Sequence, residues 1–149
     1  MEKDSIAVII LAFNEEKHIE RSITNAKQFA SEVFVVDSFS TDKTREIAQS
    51  LGAAVYTHKW ENYARQFSWS LKNLPIKSQW IWRMDADEYL SSELITEVMS
   101  KVNHASDAVN GFTAPCLRIF LGKYIKHGIL PLILLRLFRK GSGYIEDKQ

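Results

Sequence analysis

The sequence predicts an α/β fold, a three-layer sandwich in which helices cover both faces of a mainly parallel sheet. Short apolar runs rich in β-branched residues alternate with segments whose apolar residues recur every three or four positions. The first apolar run is continuous rather than alternating, which is typical of a strand buried on both faces. The chain has 149 residues, 46% hydrophobic and 25% charged, so its size and composition suit one soluble domain, residues 1–149.

Two strand–helix units open the chain. Residues 5–11 (SIAVIIL) form the first predicted strand. A helical pattern follows from Asn14, with apolar residues at Ile19, Ile23, Ala26 and Phe29. The segment EVFVVD, Glu32–Asp37, is the second predicted strand. The helix after it stops at Gly52, and its candidate N-caps are Ser40, Thr41 and Asp42.

Two further units and a less regular region complete the pattern. We predict strands at residues 53–57 and 80–84 and a helix at residues 63–74. Ser91 or Ser92 caps a last predicted helix. In the remainder, GFTAP and LILLRLF are predicted strands joined by basic loops. Because short links alternate with strands and helices, parallel pairing is favoured.

Polar side chains directly follow three of the predicted strands. Because ligands bind beyond the carboxyl ends of parallel strands, we expect these side chains to converge at one edge of the sheet. They are Asn14 and Glu15, then Asp37 and Ser38, then Asp85 and Asp87. Asp37 could accept hydrogen bonds from a base N–H or from ribose hydroxyls, since a buried strand gains nothing by ending in an unpaired acid.

The segment WIWRMDADEYL, residues 80–90, places three carboxylates within four positions. If the chain stays extended past Met84, Asp85 and Asp87 point to one side. Glu88 would then point to the opposite side. Two carboxylates aimed at one point raise each other's pKa, and a divalent cation such as Mg²⁺ or Mn²⁺ would relieve the repulsion. An isolated D-x-D pattern is short and common, so a cap for the next helix or a solvated loop is the alternative.

Three stretches together resemble the family 2 glycosyltransferases, whose Rossmann-like GT-A fold binds nucleotide-sugars. They are VIILAFNEEKHI, VFVVDSFSTDKTREIA and WIWRMDADEYL, within roughly the first hundred residues. KWENYARQFSWSL, RIFLGKYIKHG and LLRLFRKGSGY resemble a bacterial branch that adds sugars to lipopolysaccharide core or other cell-surface glycans, β-glucosyltransferases among them. The resemblance implies an inverting, metal-dependent hexosyltransferase. It would move a sugar from a nucleotide-sugar, commonly a UDP-sugar, to a hydroxyl of a glycan or lipid-linked acceptor.

The same resemblance assigns roles to individual residues. Asp37 would contact the nucleotide base, and Asp85 would lie near the ribose or the metal. Asp87 would be the main ligand of Mg²⁺ or Mn²⁺, so Asp85 and Asp87 form the implied catalytic centre. The implied nucleotide-sugar-binding residues are Phe13, Asn14, Glu15, Asp37, Ser38, Arg65, Gln66 and Asp85. After Gln66 the branch usually has a basic residue and an asparagine, whereas this chain has Phe67 and Ser68.

An inverting displacement needs a base that takes the proton of the acceptor hydroxyl. The resemblance places that base near or past the last residue, which leaves Glu146 and Asp147 as candidates within this sequence. Residues 1–104 would then form the nucleotide-sugar-binding part and residues 105–149 the start of the acceptor side. The alternative is a domain that binds a nucleotide-sugar without transferring it.

Composition and motif placement argue against other classes of protein. The formal net charge of +1 is unlike that of a nucleic-acid-binding protein. A sugar nucleotidyltransferase would carry a glycine-rich loop after its first strand, and LAFNEEKHI contains no glycine. A haloacid-type phosphatase would carry its D-x-D on the first strand. Cys116 is the only cysteine and the start of the chain does not read as a secretory signal, so a cytoplasmic location is expected.

The last third of the chain is basic. No carboxylate lies between Asp107 and Glu146, and the basic residues of that stretch are Arg118, Lys123, Lys126, Arg136, Arg139 and Lys140. Residues 132–138 are predicted to form a core strand, and the basic loop at residues 123–127 to touch an anionic membrane surface peripherally. The chain should therefore sediment with anionic vesicles at low salt, and its failure to do so would rule out the contact.

Overall fold

The computed structural model describes residues 5–125, 127 and 132–143. Its strands and helices follow the predicted order. They are β1 (Ile6–Ala12), α1 (Ile19–Ala26), β2 (Glu32–Asp37), α2 (Thr44–Ser50), β3 (Ala54–Thr57), α3 (Tyr63–Asn73), β4 (Trp80–Asp85), α4 (Ser92–His104), β5 (Gly111–Cys116), β6 (Ile119–Phe120), β7 (Lys123–Tyr124) and β8 (Leu132–Arg139).

One six-stranded sheet, in the order β3-β2-β1-β4-β8-β5, organises the chain. β1 pairs in parallel with β2 and β4, and β2 pairs in parallel with β3. β8 runs antiparallel to both of its neighbours, β4 and β5. The prediction of a mainly parallel sheet is confirmed. The predicted division of the chain after residue 104 does not interrupt the sheet. β5 and β8, which follow that residue, extend the sheet beyond β4.

Helices on both faces of the sheet confirm the three layers. Ile10 lies on the face covered by α1, α2 and α4, where it belongs to the same cluster as Ile23 and Val98. Its neighbour Ile9 lies on the face covered by α3, in a cluster with Phe67. Every residue of β1 is buried, which explains why its sequence is apolar throughout. Burying each valine, leucine or isoleucine side chain of this strand contributes about 1.5–3 kcal/mol, so β1 stabilises both cores.

The first two helices begin later than the sequence pattern predicts. α1 starts at Ile19 instead of Asn14, which has a positive φ of 50° and cannot continue a helix. α2 starts after Lys43, so none of the three predicted N-caps stands at the cap position. Asp42 instead accepts the backbone N–H of Thr44 at 3.0 Å. The predicted stop is confirmed, since Gly52 has a φ of 76° just after the helix ends.

The β8 strand is only half buried. Arg136, Leu137 and Phe138 are buried, but Leu132 and Ile133 are exposed, so the predicted core strand is wrong in its first half. β8 pairs with β4 at positions 137–139, near its end, and among the described strands its first half pairs with β5 alone. Part of the predicted basic loop forms the exposed β6–β7 hairpin. Among the described residues, no helix is long and apolar enough to cross a bilayer.

Candidate active site

The ends of β1, β2 and β4 meet at one edge of the sheet, as the sequence predicts. In the sheet register, Leu11 of β1 pairs with Asp85 of β4. The next residue, Ala12, pairs with Asp37 of β2. Successive side chains of a strand point to opposite faces. Asp37 therefore lies on the side of α2, and Asp85 lies on the side of α3. The two acids border the same edge from opposite faces.

Asp37 is wholly buried, and both of its carboxylate oxygens are bonded inside the protein. The backbone N–H of Ser40 donates to Oδ2 at 2.8 Å, and the Ser40 hydroxyl donates to Oδ1. Arg45 lies beside it, with Nε 3.7 Å from Oδ2. In the structure this carboxylate orders the loop that follows β2, and its predicted contact with a base stays a prediction.

Hydrogen bonds join the loop after β1 to the loop after β2. The N–H of Asn14 donates to the Ser40 hydroxyl at 2.8 Å, and the Asn14 carbonyl oxygen Oδ1 accepts the Thr41 N–H at 2.8 Å. The N–H of Glu15 donates to the Thr44 hydroxyl at 2.8 Å. These bonds use the backbone donors that a helix beginning at Asn14 would have left unpaired, so the two loops form one unit.

The buried side chain of Gln66 forms hydrogen bonds with both Ser38 and His58. Its Nε2 donates to the Ser38 hydroxyl at 3.1 Å and to the His58 carbonyl at 3.2 Å. Its Oε1 is 2.6 Å from His58 Nδ1, and the His58 ring stacks on Trp69 with centroids 4.3 Å apart. Gln66 is wholly buried, so it positions Ser38 rather than facing a ligand. His58 was not predicted, because no local pattern signals its pairing with a helix eight residues away.

The remaining predicted binding residues have surface partners or core positions. Arg65 is exposed on the first turn of α3 and pairs with Glu61. Glu15 Oε2 is 2.8 Å from Nδ1 of His18. Phe67, which replaces the basic residue usual after the glutamine, is buried in the core under α3. Its aromatic side chain therefore serves packing.

The chain turns directly after Asp85, so the expectation of an extended chain past Met84 is wrong. The N–H of Glu88 donates to the carbonyl of Asp85 at 3.0 Å, which closes a turn. The Glu88 carboxylate folds back and accepts the Asp85 N–H at 3.0 Å. Glu88 therefore approaches Asp85 instead of pointing to the opposite side.

A largely buried ion pair holds Glu88 in this turn. Arg136 of β8 donates to both oxygens of Glu88, from Nη2 to Oε1 at 2.7 Å and from Nη1 to Oε2 at 3.0 Å. Nη1 also donates to the Arg83 carbonyl at 3.3 Å, and the Arg136 residue is only 6% exposed. The signal was present in the sequence, because an arginine inside the apolar run LLRLF needs a buried acidic partner.

Helix α1 holds the other side of residues 85–90, the acidic segment. Arg21 Nη2 donates to the Asp87 carbonyl at 3.0 Å. The Asn25 amide donates to the Leu90 carbonyl at 2.8 Å and accepts the Leu90 N–H at 2.7 Å. Ser91, one of the two predicted residues, caps α4. The acidic segment is thus neither the cap of α4 nor a loose loop.

The electrostatics of this segment suit a cation. Burial, followed by the charges of Glu88 and Asp87, raises the pKa of Asp85 to about 6 against the opposing charge of Arg136. Both oxygens of Glu88 are bonded to Arg136, so Asp85 and exposed Asp87 are the carboxylates of this segment that remain available to bind a metal ion. In the described ranges no group of three or more His, Cys, Asp or Glu side chains could hold a metal ion. Two carboxylates nevertheless fit Mg²⁺ or Mn²⁺, which usually take their other oxygens from phosphates and water.

The other predicted acids, Glu146 and Asp147, lie outside the described residues.

The fold of this chain is shared with GT-A glycosyltransferases of known structure. The UDP complex of glucosyl-3-phosphoglycerate synthase from Mycobacterium tuberculosis matches with a TM-score of 0.59 and 22% identity, over 72% of this chain and 42% of that one. Residues 7–139 match the model of glycosyl transferase family 2. The chain therefore belongs to this family and has the GT-A fold.

Curated relatives are glycosyltransferases of about twice the length or more. An uncharacterized glycosyltransferase of Rickettsia typhi, RT0209, is 34% identical over 91% of this chain and 46% of its own length. The lipopolysaccharide core biosynthesis glycosyltransferase LpsC of Rhizobium meliloti is 29% identical over 97% of this chain and 54% of its own. A Rickettsia bellii relative is 47% identical over 62% of this chain, which is 31% of that relative. The matched residues thus span about a third to a half of these relatives.

Proposed function

We propose that this chain forms the donor-binding part of an inverting, metal-dependent glycosyltransferase. Its substrates would be a UDP-hexose and a hydroxyl of a cell-surface glycan or lipid-linked acceptor. The observation that carries the proposal is the position of Asp85 and Asp87, held at the end of β4 beside the joined loops of β1 and β2. The synthase of M. tuberculosis was crystallised with Mn²⁺ and UDP-glucose, which supports this donor and cation. LpsC supports a lipopolysaccharide-type acceptor.

The residues divide into those that hold the donor and those that shape the site. Asp85 and Asp87 would hold Mg²⁺ or Mn²⁺, which supplies positive charge to the departing diphosphate. Ser38, half-buried and oriented by Gln66, offers a hydroxyl to the nucleoside. Arg21 and Asn25 fix the acidic segment against α1. The base that takes the acceptor proton is proposed at Glu146 or Asp147 or beyond them.

Calorimetry with UDP and MnCl₂ tests the donor site. The chain should bind UDP when Mn²⁺ is present, and Asp87→Ala should weaken the binding by at least roughly tenfold, because one of two cation ligands is lost. Asp107→Ala, which removes an exposed acid after α4, should bind as the unaltered chain does.

The contrary outcomes are distinct. If no nucleoside diphosphate binds in the presence of Mg²⁺ or Mn²⁺, the donor site does not exist. If UDP-sugar binds without sugar release or transfer to any acceptor, the alternative of a binding domain without transferase activity is favoured.

A further inference from the structure

Phe39 combines an unfavourable backbone conformation with an exposed aromatic ring. Its φ is 60°, in the left-handed region that bulky L residues rarely adopt. Its side chain gains little from packing, since the residue is 56% exposed. Glycine would adopt the same backbone without this cost. Folding alone therefore does not account for a phenylalanine at this position. Because this strained turn lies directly after Asp37 at the carboxyl edge of the sheet, beside the candidate site, the strain points to a function there.

The bonds on either side of Phe39 impose its conformation. The N–H of Ser38 donates to the Ala12 carbonyl at 2.9 Å. On the other side, the N–H of Ser40 donates to the buried Asp37 carboxylate at 2.8 Å. Because both neighbours are fixed, the turn between them is fixed as well, and the Phe39 ring is presented at the edge of the sheet.

A second exposed aromatic side chain leaves the adjacent strand at the same edge. Phe13 is 58% exposed and directly follows Ala12, which pairs with Asp37 in the sheet. Phe13 therefore lies one residue beyond the Ala12–Asp37 pair, and Phe39 lies two residues beyond it. Exposed aromatic faces at a binding site are suited to a planar, uncharged ring, and every nucleobase has such a face.

We propose that Phe39 is a further ligand-contact residue, whose ring stacks on the nucleobase of the nucleoside diphosphate donor. This rests on the proposed function, because it takes the donor site as its setting. Stacking tolerates any base, so Phe39 increases the affinity for a nucleoside without choosing among bases. The backbone strain at Phe39 is then retained for binding.

Phe39→Gly separates binding from folding. With Mn²⁺ present, we expect its affinity for UDP to fall on the order of tenfold, the loss of one stacked ring. Its thermal midpoint should not fall, because glycine accepts the positive φ. Inorganic pyrophosphate with Mn²⁺, which lacks a base, should bind both chains equally, and Phe39→Tyr should bind UDP as the unaltered chain does.

Leu121→Gly is the matched control. Leu121 is 86% exposed with a φ of 49°, in the turn of the β6–β7 hairpin, and its replacement should leave UDP affinity unchanged. The proposal is overturned if Phe39→Gly retains UDP affinity, if it loses pyrophosphate equally, or if Phe39→Tyr also loses UDP. Retention in Phe39→Gly beside loss in Asp87→Ala would overturn this proposal alone. Absence of UDP binding by the unaltered chain would overturn the proposed function and, with it, the role of Phe39.

Discussion

Replacing Arg136 with methionine is expected to lower the free energy of unfolding by about 3 kcal/mol, the lower end of the range for breaking a buried ion pair. The methionine keeps the apolar stem but leaves Glu88 without its two charge-assisted bonds, at 2.7 and 3.0 Å. The lower end is appropriate because the Glu88 side chain is 23% exposed and water reaches part of it. Urea unfolding, followed by far-UV circular dichroism, would measure the loss.

Lys101→Met is the control for removing a cation from an ion pair. Lys101 Nζ lies 3.5 Å from Glu97 Oε1 on the exposed face of α4, so its loss should cost at most about 1 kcal/mol. The double variant Glu88→Gln/Arg136→Met should recover part of the stability, since it removes the unpaired charge as well. If Arg136→Met is no more destabilising than Lys101→Met, the pair does not hold the acidic segment.

This ion pair also shows where sequence-based prediction of the site reached its limit. The apolar strands and the periodic helices were predictable because their patterns are local, and β2 was predicted with its observed bounds. Glu88 and Arg136 are 48 residues apart, and their pairing depends on how β8 lies beside β4. A local rule therefore predicted an extended chain after Met84, whereas the structure has a turn there whose Glu88 is bound by a distant arginine.

The same reason explains the residues behind the site. Gln66 was predicted to contact the ligand because it occupies a matching motif position, and Asp37 for that reason and because it ends a buried strand. Their burial depends on bonds to Ser40, Ser38 and His58, which only the packed loops create. The convergence of the strand ends was predictable because it follows from parallel topology alone. Which polar side chains face outward depends on tertiary hydrogen bonds that the sequence does not display.

Asp85→Asn is expected to stabilise the metal-free chain at pH 7.5 and to leave its stability unchanged near pH 3.5. The fold raises the pKa of Asp85 to about 6 from the ordinary value of 3.8. Below pH 3.8 Asp85 is mostly protonated in the folded and the unfolded chain, and its contribution to the free energy of unfolding is then most favourable. That contribution is lost as the pH rises through 6, because the folded chain must then bury the charge. Asparagine never acquires the charge, so the gain at pH 7.5 should be roughly 1–2 kcal/mol after allowing for partial solvation.

The same substitution should weaken the binding of Mn²⁺ and UDP. Its effects on stability and on binding should therefore be opposite. Mn²⁺ should raise the thermal midpoint of the unaltered chain more than that of Asp85→Asn, and the variant's affinity for UDP with Mn²⁺ should fall at least roughly tenfold. Asp107→Asn, at an exposed position, should change neither property. If Asp85→Asn is destabilising at pH 7.5 and still binds UDP with Mn²⁺, the carboxylate stabilises the fold and does not bind the metal ion. A stabilised variant that no longer binds would show that the charge at the end of β4 is kept for its ligand at the expense of the fold.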